Sequence, residues 1–245
     1  MSKMEYQAYS KMIDHALLTP TMQVRDLESG INLALAYDVA SVCVMPYYVE
    51  RLSQRLREST VKTSTTIGFP HGANHVQTKV DEAKLAIDNG CQEIDVVVNL
   101  SQVLSGCWSY VEDEIGAIVE TAHSSKQRAK IIFENCFLND SQKIKLCEIC
   151  TKQEADWVKT STGFGTSGAT IADLKLMIQH SGPETQVKAA GGVRDLATLM
   201  EVKQLGVTRC GASGTPALLD PLREQLGLPP VELTSSQASS NNPNY

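Results

Sequence analysis

No long apolar run opens the chain. The first fifteen residues, MSKMEYQAYSKMIDH, place polar or charged side chains every few positions, so they lack the apolar core of a secretory signal or a transmembrane helix. A cytoplasmic protein that does not enter a membrane is expected. There is no basic run either. Lys+Arg number 22 against 28 Asp+Glu, a formal net charge of -6, which argues against a nucleic-acid backbone or an anionic membrane as the main partner. The seven cysteines (43, 91, 107, 136, 147, 150 and 210) are odd in number and too sparse for a disulfide scaffold in 245 residues, so they are read as reduced thiols. No G-x-G-x-x-G follows the first predicted strand, which weakens a dinucleotide-binding reading. What remains is an ordinary globular composition, 42% hydrophobic and 20% charged, long enough for one or two domains or one α/β barrel of about 250 residues.

An alternation fills the chain. Short apolar, β-prone runs are each followed by a helical pattern at intervals of roughly 25–35 residues, the size of a βαβ unit. The runs are MIDHALL (12–18), ASVCVMP (40–46), STTIGFP (64–70), EIDVVVN (93–99), KIIFENC (130–136), WVKTST (157–162), QVKAAG (186–191) and TRCGAS (208–213). Helical patterns fall near 24–37, 48–58, 76–90, 109–123, 141–152, 170–180, 195–205 and 216–226. In the third of these, Val80, Ala83, Leu85 and Ala86 share a predicted face and Gly90 marks the stop. Eight strand–helix units predict a single (β/α)8 barrel over 1–228, with a short N-terminal helix. An open doubly wound sheet is the alternative. The Ser, Asn and Pro-rich ending, 229–245, is expected to be a flexible tail.

Parallel strands of a barrel converge at one mouth, where barrel active sites lie. Three ionisable residues interrupt the apolar runs there: Asp95, Lys159 and Lys188. Lys188 follows Lys159 by 29 residues, one unit, so the two amines belong on neighbouring strands at similar height. Lysine is depleted in strands and seldom buried without a partner. An amine beside a second cation in a low-dielectric site loses its proton readily and becomes a nucleophile able to form a Schiff base. Against this stands a purely structural account, in which the lysines reach the rim or pair with Asp95 or Glu134. Both accounts stay open at this level.

Glycine and hydroxyl groups form a second constellation. AAGGVRD (189–195) and GASGTP (211–216) follow the seventh and eighth strands and each opens a helix, and TSTGFG (160–165) follows the sixth. Backbone N–H groups at such turns suit a phosphate, so a phosphorylated substrate is expected. Other candidates carry less: Cys147 and Cys150 are read as core packing, His71 and His75 as loop or cap residues, His15 as a hydrogen-bonded structural histidine, and Trp108 and Trp157 as packing. No metal site is assigned.

In order along the chain, IDHALLTP (13–20), CVMP (43–46), IGFPHGAN (67–74), EIDVVVN (93–99), KIIFEN (130–135), VKTSTGF (158–164), VKAAGGVR (187–194) and GAS (211–213) resemble the deoxyribose-phosphate aldolase family. These are class I aldolases that cleave 2-deoxy-D-ribose 5-phosphate to glyceraldehyde 3-phosphate and acetaldehyde. The resemblance implies that Lys159 is the Schiff-base lysine, Lys188 the lysine that perturbs it, and Asp95 an acid/base acting through a water. It assigns the phosphate to groups at Gly163, Gly191, Gly192, Gly211 and Ser213, requires no cofactor or metal, and implies a homodimer or higher homo-oligomer. Another Schiff-base barrel aldolase, or a non-catalytic sugar-phosphate binder on the same fold, are the alternatives. Met45, His71, Asn135 with Cys136, and Phe164 depart from the family pattern and bear on substrate range. A C-terminal tyrosine assists proton transfer in some members, and the 17 residues after Leu228 span up to roughly 55 Å, enough for Tyr245 to do the same.

Overall fold

The eight predicted runs form eight parallel strands: β1 (Ile13–Leu17), β2 (Ser41–Val44), β3 (Lys62–Ile67), β4 (Glu93–Val97), β5 (Arg128–Ile132), β6 (Trp157–Lys159), β7 (Gln186–Ala190) and β8 (Arg209–Ala212). Each pairs with its successor and β8 pairs back to β1, giving a closed barrel with no sheet edge. The structure is a computed structural model that describes residues 2–233.

The helices are α1 (Ser2–Ser10), α2 (Val24–Ala36), α3 (Val49–Leu56), α4 (Val76–Asp88), α5 (Leu100–Leu104), α6 (Trp108–Ser124), α7 (Asp140–Lys152), α8 (Ile171–His180), α9 (Leu196–Leu205) and α10 (Thr215–Gln225). The expected N-terminal helix is α1, held to the shell where Tyr6 donates to the Tyr37 carbonyl at 2.9 Å. The five-residue α5 has no counterpart in the sequence pattern, because its length is too short to establish a helical period. Several helix starts are fixed by side chains: Asn139 and Gln142 form a reciprocal capping box on α7, and Thr170 caps α8.

One predicted face changes. On α4 the buried residues are Lys79, Val80, Ala83 and Ala86, whereas Leu85 is 63% exposed. Lys79 takes the inward position because its amine is paired: it donates to Glu114 Oε1 and to the Val97 carbonyl, both at 2.7 Å, while Glu114 Oε2 accepts from the Asn99 N–H at 2.8 Å. This buried pair grips the C-terminal end of β4 from outside the barrel.

The apolar core lies between strands and helices, not in the lumen, and includes Ile13, Val42, Ile67, Ile94, Ile131 and Val158 from the strands and Leu27, Leu52, Ile115 and Leu146 from the helices. Of the expected tail, 229–233 is described. Val231 and Leu233 pack partly buried against the core, and Arg223 donates to the Pro229 carbonyl. The remainder, with Tyr245, lies outside the described residues.

Candidate active site

Strand alternation puts Glu93 and Asp95, two apart on β4, on the lumen face. There they meet charges from five other strands. Asp95 is fully buried, and its Oδ2 accepts from Lys159 Nζ and from Lys188 Nζ, each at 2.7 Å. The β6–β7 register sets Lys159 directly beside Lys188. The 29-residue spacing therefore does put the two amines level.

A third amine joins them. Lys130, in register with Asp95 across the β4–β5 pair, donates to Asp95 Oδ1 at 2.9 Å and lies 2.7 Å from Glu93 Oε2. Toward the N-terminal ends of the strands, Arg209 forks onto Glu93 with two bonds of 2.8 and 2.9 Å and reaches Asp14 at 2.5 Å. Asp14 returns to Lys188 at 2.6 Å and accepts from the Ser41 hydroxyl. Trp157 floors the network: the Arg209 guanidinium sits 4.9 Å and the Lys130 ammonium 5.6 Å from its ring centre.

Three carboxylates thus face four bases in one linked, buried network. The count balances when one base is uncharged. Lys188 and Lys130 each contact at least two carboxylates, and the carboxylate charges hold both ammoniums above the ordinary lysine range against burial. Among the described residues Lys159 pairs with Asp95 alone. Burial, reinforced by the Lys188 charge, pushes it below the ordinary range despite Asp95. The carboxyls of Asp14 and Asp95 are held low by the surrounding cations, which outweigh burial.

Glu134, the other partner considered for the lysines, is committed elsewhere. Buried in a left-handed conformation (φ 54°), it accepts from the Thr162 N–H at 3.2 Å and from the Thr162 hydroxyl. It thereby fixes the turn that follows Lys159. Thr160 ties the same turn to β7, accepting from the Ala190 N–H at 3.0 Å.

The glycines expected at the phosphate lie around the C-terminal ends of β6, β7 and β8. Gly163 (φ 90°) and Gly192 (φ 91°) are exposed, and Ser213 is exposed after β8. Pairing of Ala190 with Gly211 sets the β7 and β8 loops side by side. Gly211 sits lower, where an added Cβ would come 3.7 Å from Lys188 Cε. The two helix starts differ. Asp195 caps α9, accepting from the Thr198 N–H at 2.8 Å, whereas α10 begins at Gly214 with no side-chain cap. A carboxylate therefore already occupies the start of α9, and the α10 start is the one suited to an outside anion.

The family-divergent positions scatter. Met45 is half-buried after β2, His71 is exposed, and the Phe164 ring stands edge-on to Phe69 at 5.3 Å. Asn135 does not face the mouth: it is buried, with its amide toward Met177 of α8 at 3.4 Å. His15 also points outward, its Nδ1 2.8 Å from the Thr215 hydroxyl at the start of α10, and burial pushes it down to about 4. His75 caps α4, and Cys147 and Cys150 are buried.

The comparisons with known proteins fit this geometry. The family model described as DeoC/LacD family aldolase matches residues 9–222. The chain is 58% identical to the deoxyribose-phosphate aldolase of Rhodopirellula baltica, across 98% of this chain and 99% of that protein. The chain belongs to the DeoC/LacD aldolase family. The deoxyribose-phosphate aldolase of Clostridium perfringens strain 13 is 44% identical, covering 89% of this chain and 96% of that one. A solved structure described as a unique tetrameric deoxyribose phosphate aldolase from Aeropyrum pernix superposes with a TM-score of 0.83 at 27% identity, covering 90% of this chain and 93% of that one.

Within this DeoC/LacD aldolase, sequence reasoning missed Asp14, Glu93, Lys130 and Arg209. Their signal was faint: Glu93 and Arg209 are the first residues of their strands, Lys130 only begins the apolar part of its run, and Asp14 stands between Ile13 and His15 in a short run. Residues 163–168 also spell G-x-G-x-x-G, but they follow β6 and reach α8 only through a separate Thr170 cap, so they are not a nucleotide-binding turn.

Proposed function

We propose that the protein is a class I aldolase that cleaves 2-deoxy-D-ribose 5-phosphate to glyceraldehyde 3-phosphate and acetaldehyde, with Lys159 as the imine-forming amine. Family membership and the named activity of relatives at up to 58% identity support the reaction. The observation that carries the residue assignment is the charge count: the network is neutral when Lys159 is a free amine.

In this scheme Lys159 adds to the C1 aldehyde of the open-chain sugar, and loss of water gives a protonated imine. The cationic imine then accepts the electron pair of the C2–C3 bond as the C3 hydroxyl loses its proton. Glyceraldehyde 3-phosphate leaves, and the enamine is protonated at C2 and hydrolysed to acetaldehyde. Asp95, a water and Lys188 carry these protons. Lys188 keeps Lys159 deprotonated by its charge, and Asp95 holds both amines in register. The phosphate is assigned to Gly163, Gly191, Gly192, Gly211 and Ser213, with the uncapped start of α10 behind them.

We place the enzyme in the cytoplasm as a homo-oligomer, the latter supported by the tetrameric relative. Among the described residues no helix is long and apolar enough to cross a membrane. Borohydride reduction with deoxyribose 5-phosphate or acetaldehyde, followed by peptide mass analysis, tests the scheme. A substrate-derived mass on Lys159, and no turnover in Lys159→Ala, are expected. Wild-type turnover in that variant overturns the assignment, and an unmodified wild-type protein that still binds the sugar phosphate points to a silent binder.

A further inference from the structure

Arg209 lies at the foot of the barrel, away from the mouth, and contacts neither Lys159 nor Asp95 among its ion pairs. Its three bonds go to Asp14 and Glu93, its guanidinium lies over Trp157, and its side chain is 11% exposed. A bidentate arginine at this depth looks like a structural staple. The charge inventory gives it a second consequence.

Around Lys159, β1 supplies Asp14, β4 supplies Glu93 and Asp95, and β5, β7 and β8 supply Lys130, Lys188 and Arg209. From β2 comes Cys43, which burial raises to about 11, so the thiol is uncharged at neutral pH. Glu134, beyond β5, is spent on Thr162. On β3, the lumen-side partner of Asp95 is Thr66, a hydroxyl that does not titrate. Guanidinium does not release its proton in proteins. Arg209 is therefore a fixed positive charge, and any surplus must be discharged by one of three lysines. Lys130 and Lys188 are each clamped by two or more carboxylates, which leaves Lys159.

We propose that Arg209 is a positioning residue that keeps Lys159 as the free amine, by making the cations of the lumen outnumber its carboxylates by one. The inference rests on Lys159 being the imine-forming group. It acts through Asp14 and Glu93: when Arg209 neutralises them, Lys188 and Lys130 remain available to oppose a charge on Lys159. Without Arg209, three carboxylates face three lysines, and the balanced state is the one in which Lys159 is protonated.

The sign can be reversed. Arg209→Met removes one positive charge and should move the acid limb of imine formation upward by about one pH unit or more. Glu93→Gln removes one negative charge and should move the limb downward. The double variant, Arg209→Met with Glu93→Gln, restores the original surplus and should return the limb close to its wild-type position. The readout is the rate of cyanoborohydride trapping of acetaldehyde on Lys159 from about pH 5 to about pH 10. A role confined to packing lowers rates without opposite displacements of the limb.

Coincident limbs in wild type and Glu93→Gln overturn the inference, even if Arg209→Met does not fold. So does a double variant displaced as far as either single one. If the wild-type protein itself traps no adduct on Lys159, the proposed aldolase chemistry fails instead, and the two failures are told apart by that control.

Discussion

Replacing Asp95 by Asn keeps the shape of a fully buried side chain and removes the charge that accepts from three lysine nitrogens, at 2.7, 2.7 and 2.9 Å. Two consequences run in opposite directions. Lys159 loses the one carboxylate that favours its protonated form, so the free amine becomes easier to reach and the imine still forms. Proton transfer to and from the substrate loses its acceptor, which costs about 10²–10⁴ in rate, or roughly 3–5 kcal/mol of barrier. Stability falls as well: breaking a buried ion pair from one side costs about 3–5 kcal/mol, and at about 2–4 °C per kcal/mol the Tm should drop by roughly 6–20 °C. The assay pairs two measurements below the new Tm: the final extent of borohydride-trapped acetaldehyde on Lys159, and the release of glyceraldehyde 3-phosphate in a coupled reaction. Trapping near the wild-type extent with turnover down by two orders of magnitude or more is expected. Turnover within about tenfold of wild type, or trapping that falls in parallel with turnover, refutes the assignment of Asp95.

Three further outcomes can be stated. Lys79→Met strands the Glu114 carboxylate, 1% exposed, and should destabilise by about 3–5 kcal/mol; adding Glu114→Gln should recover part of that loss in thermal melts, and no recovery would show that the pair is not the cause. His15 is held down to about 4 by burial, so its contribution to stability is complete above the unfolded value of about 6.5 and declines by about 1.4 kcal/mol per pH unit as the pH falls from there toward 4. Denaturant melts of His15→Gln over that range should be flatter than wild type by that slope. Gly192→Ala puts a methyl group 3.0 Å from the Ala169 carbonyl at φ 91°, displacing the loop assigned to the phosphate. Loss of one charge-assisted backbone bond, about 1.5–3 kcal/mol, should raise KM for the sugar phosphate by about tenfold or more, while acetaldehyde trapping on Lys159 stays unchanged.

The fold was legible because short β-prone runs, each with a helical pattern behind it, recur at the spacing of a βαβ unit. Lys159 and Lys188 stood out for the complementary reason, since a lysine inside such a run must have a partner. Lys130 and Arg209 are chemically no less anomalous. Arg209 is the first residue of β8, and Lys130 begins the apolar stretch of β5 two residues after Arg128, so in the sequence each reads as an ordinary transition to solvent. Only closure of the barrel, which brings β1 against β8 and turns their inner faces toward β4 and β5, makes Asp14, Glu93, Lys130 and Arg209 neighbours. The buried face of α4 was obscured similarly: hydrophobicity favours Leu85 over Lys79, until Glu114 arrives from 35 residues away to neutralise the amine. The α9 start was read as an anion site because glycines precede it, although Asp195, the last residue of the same motif, closes it.

A lumen filled with ions instead of branched aliphatic side chains also bears on how such a protein can change. Exchanging a buried ionic cluster for well-packed hydrocarbon of similar volume is often neutral or stabilising. The easiest route to a sturdier barrel therefore runs through Asp14, Glu93, Lys130 and Arg209, and every step along it resets the protonation of the amine that does the chemistry. Variants selected for heat resistance alone should drift toward a silent barrel. Those selected for heat resistance and turnover together should gather their substitutions in the outer shell of helices, leaving the lumen as it is.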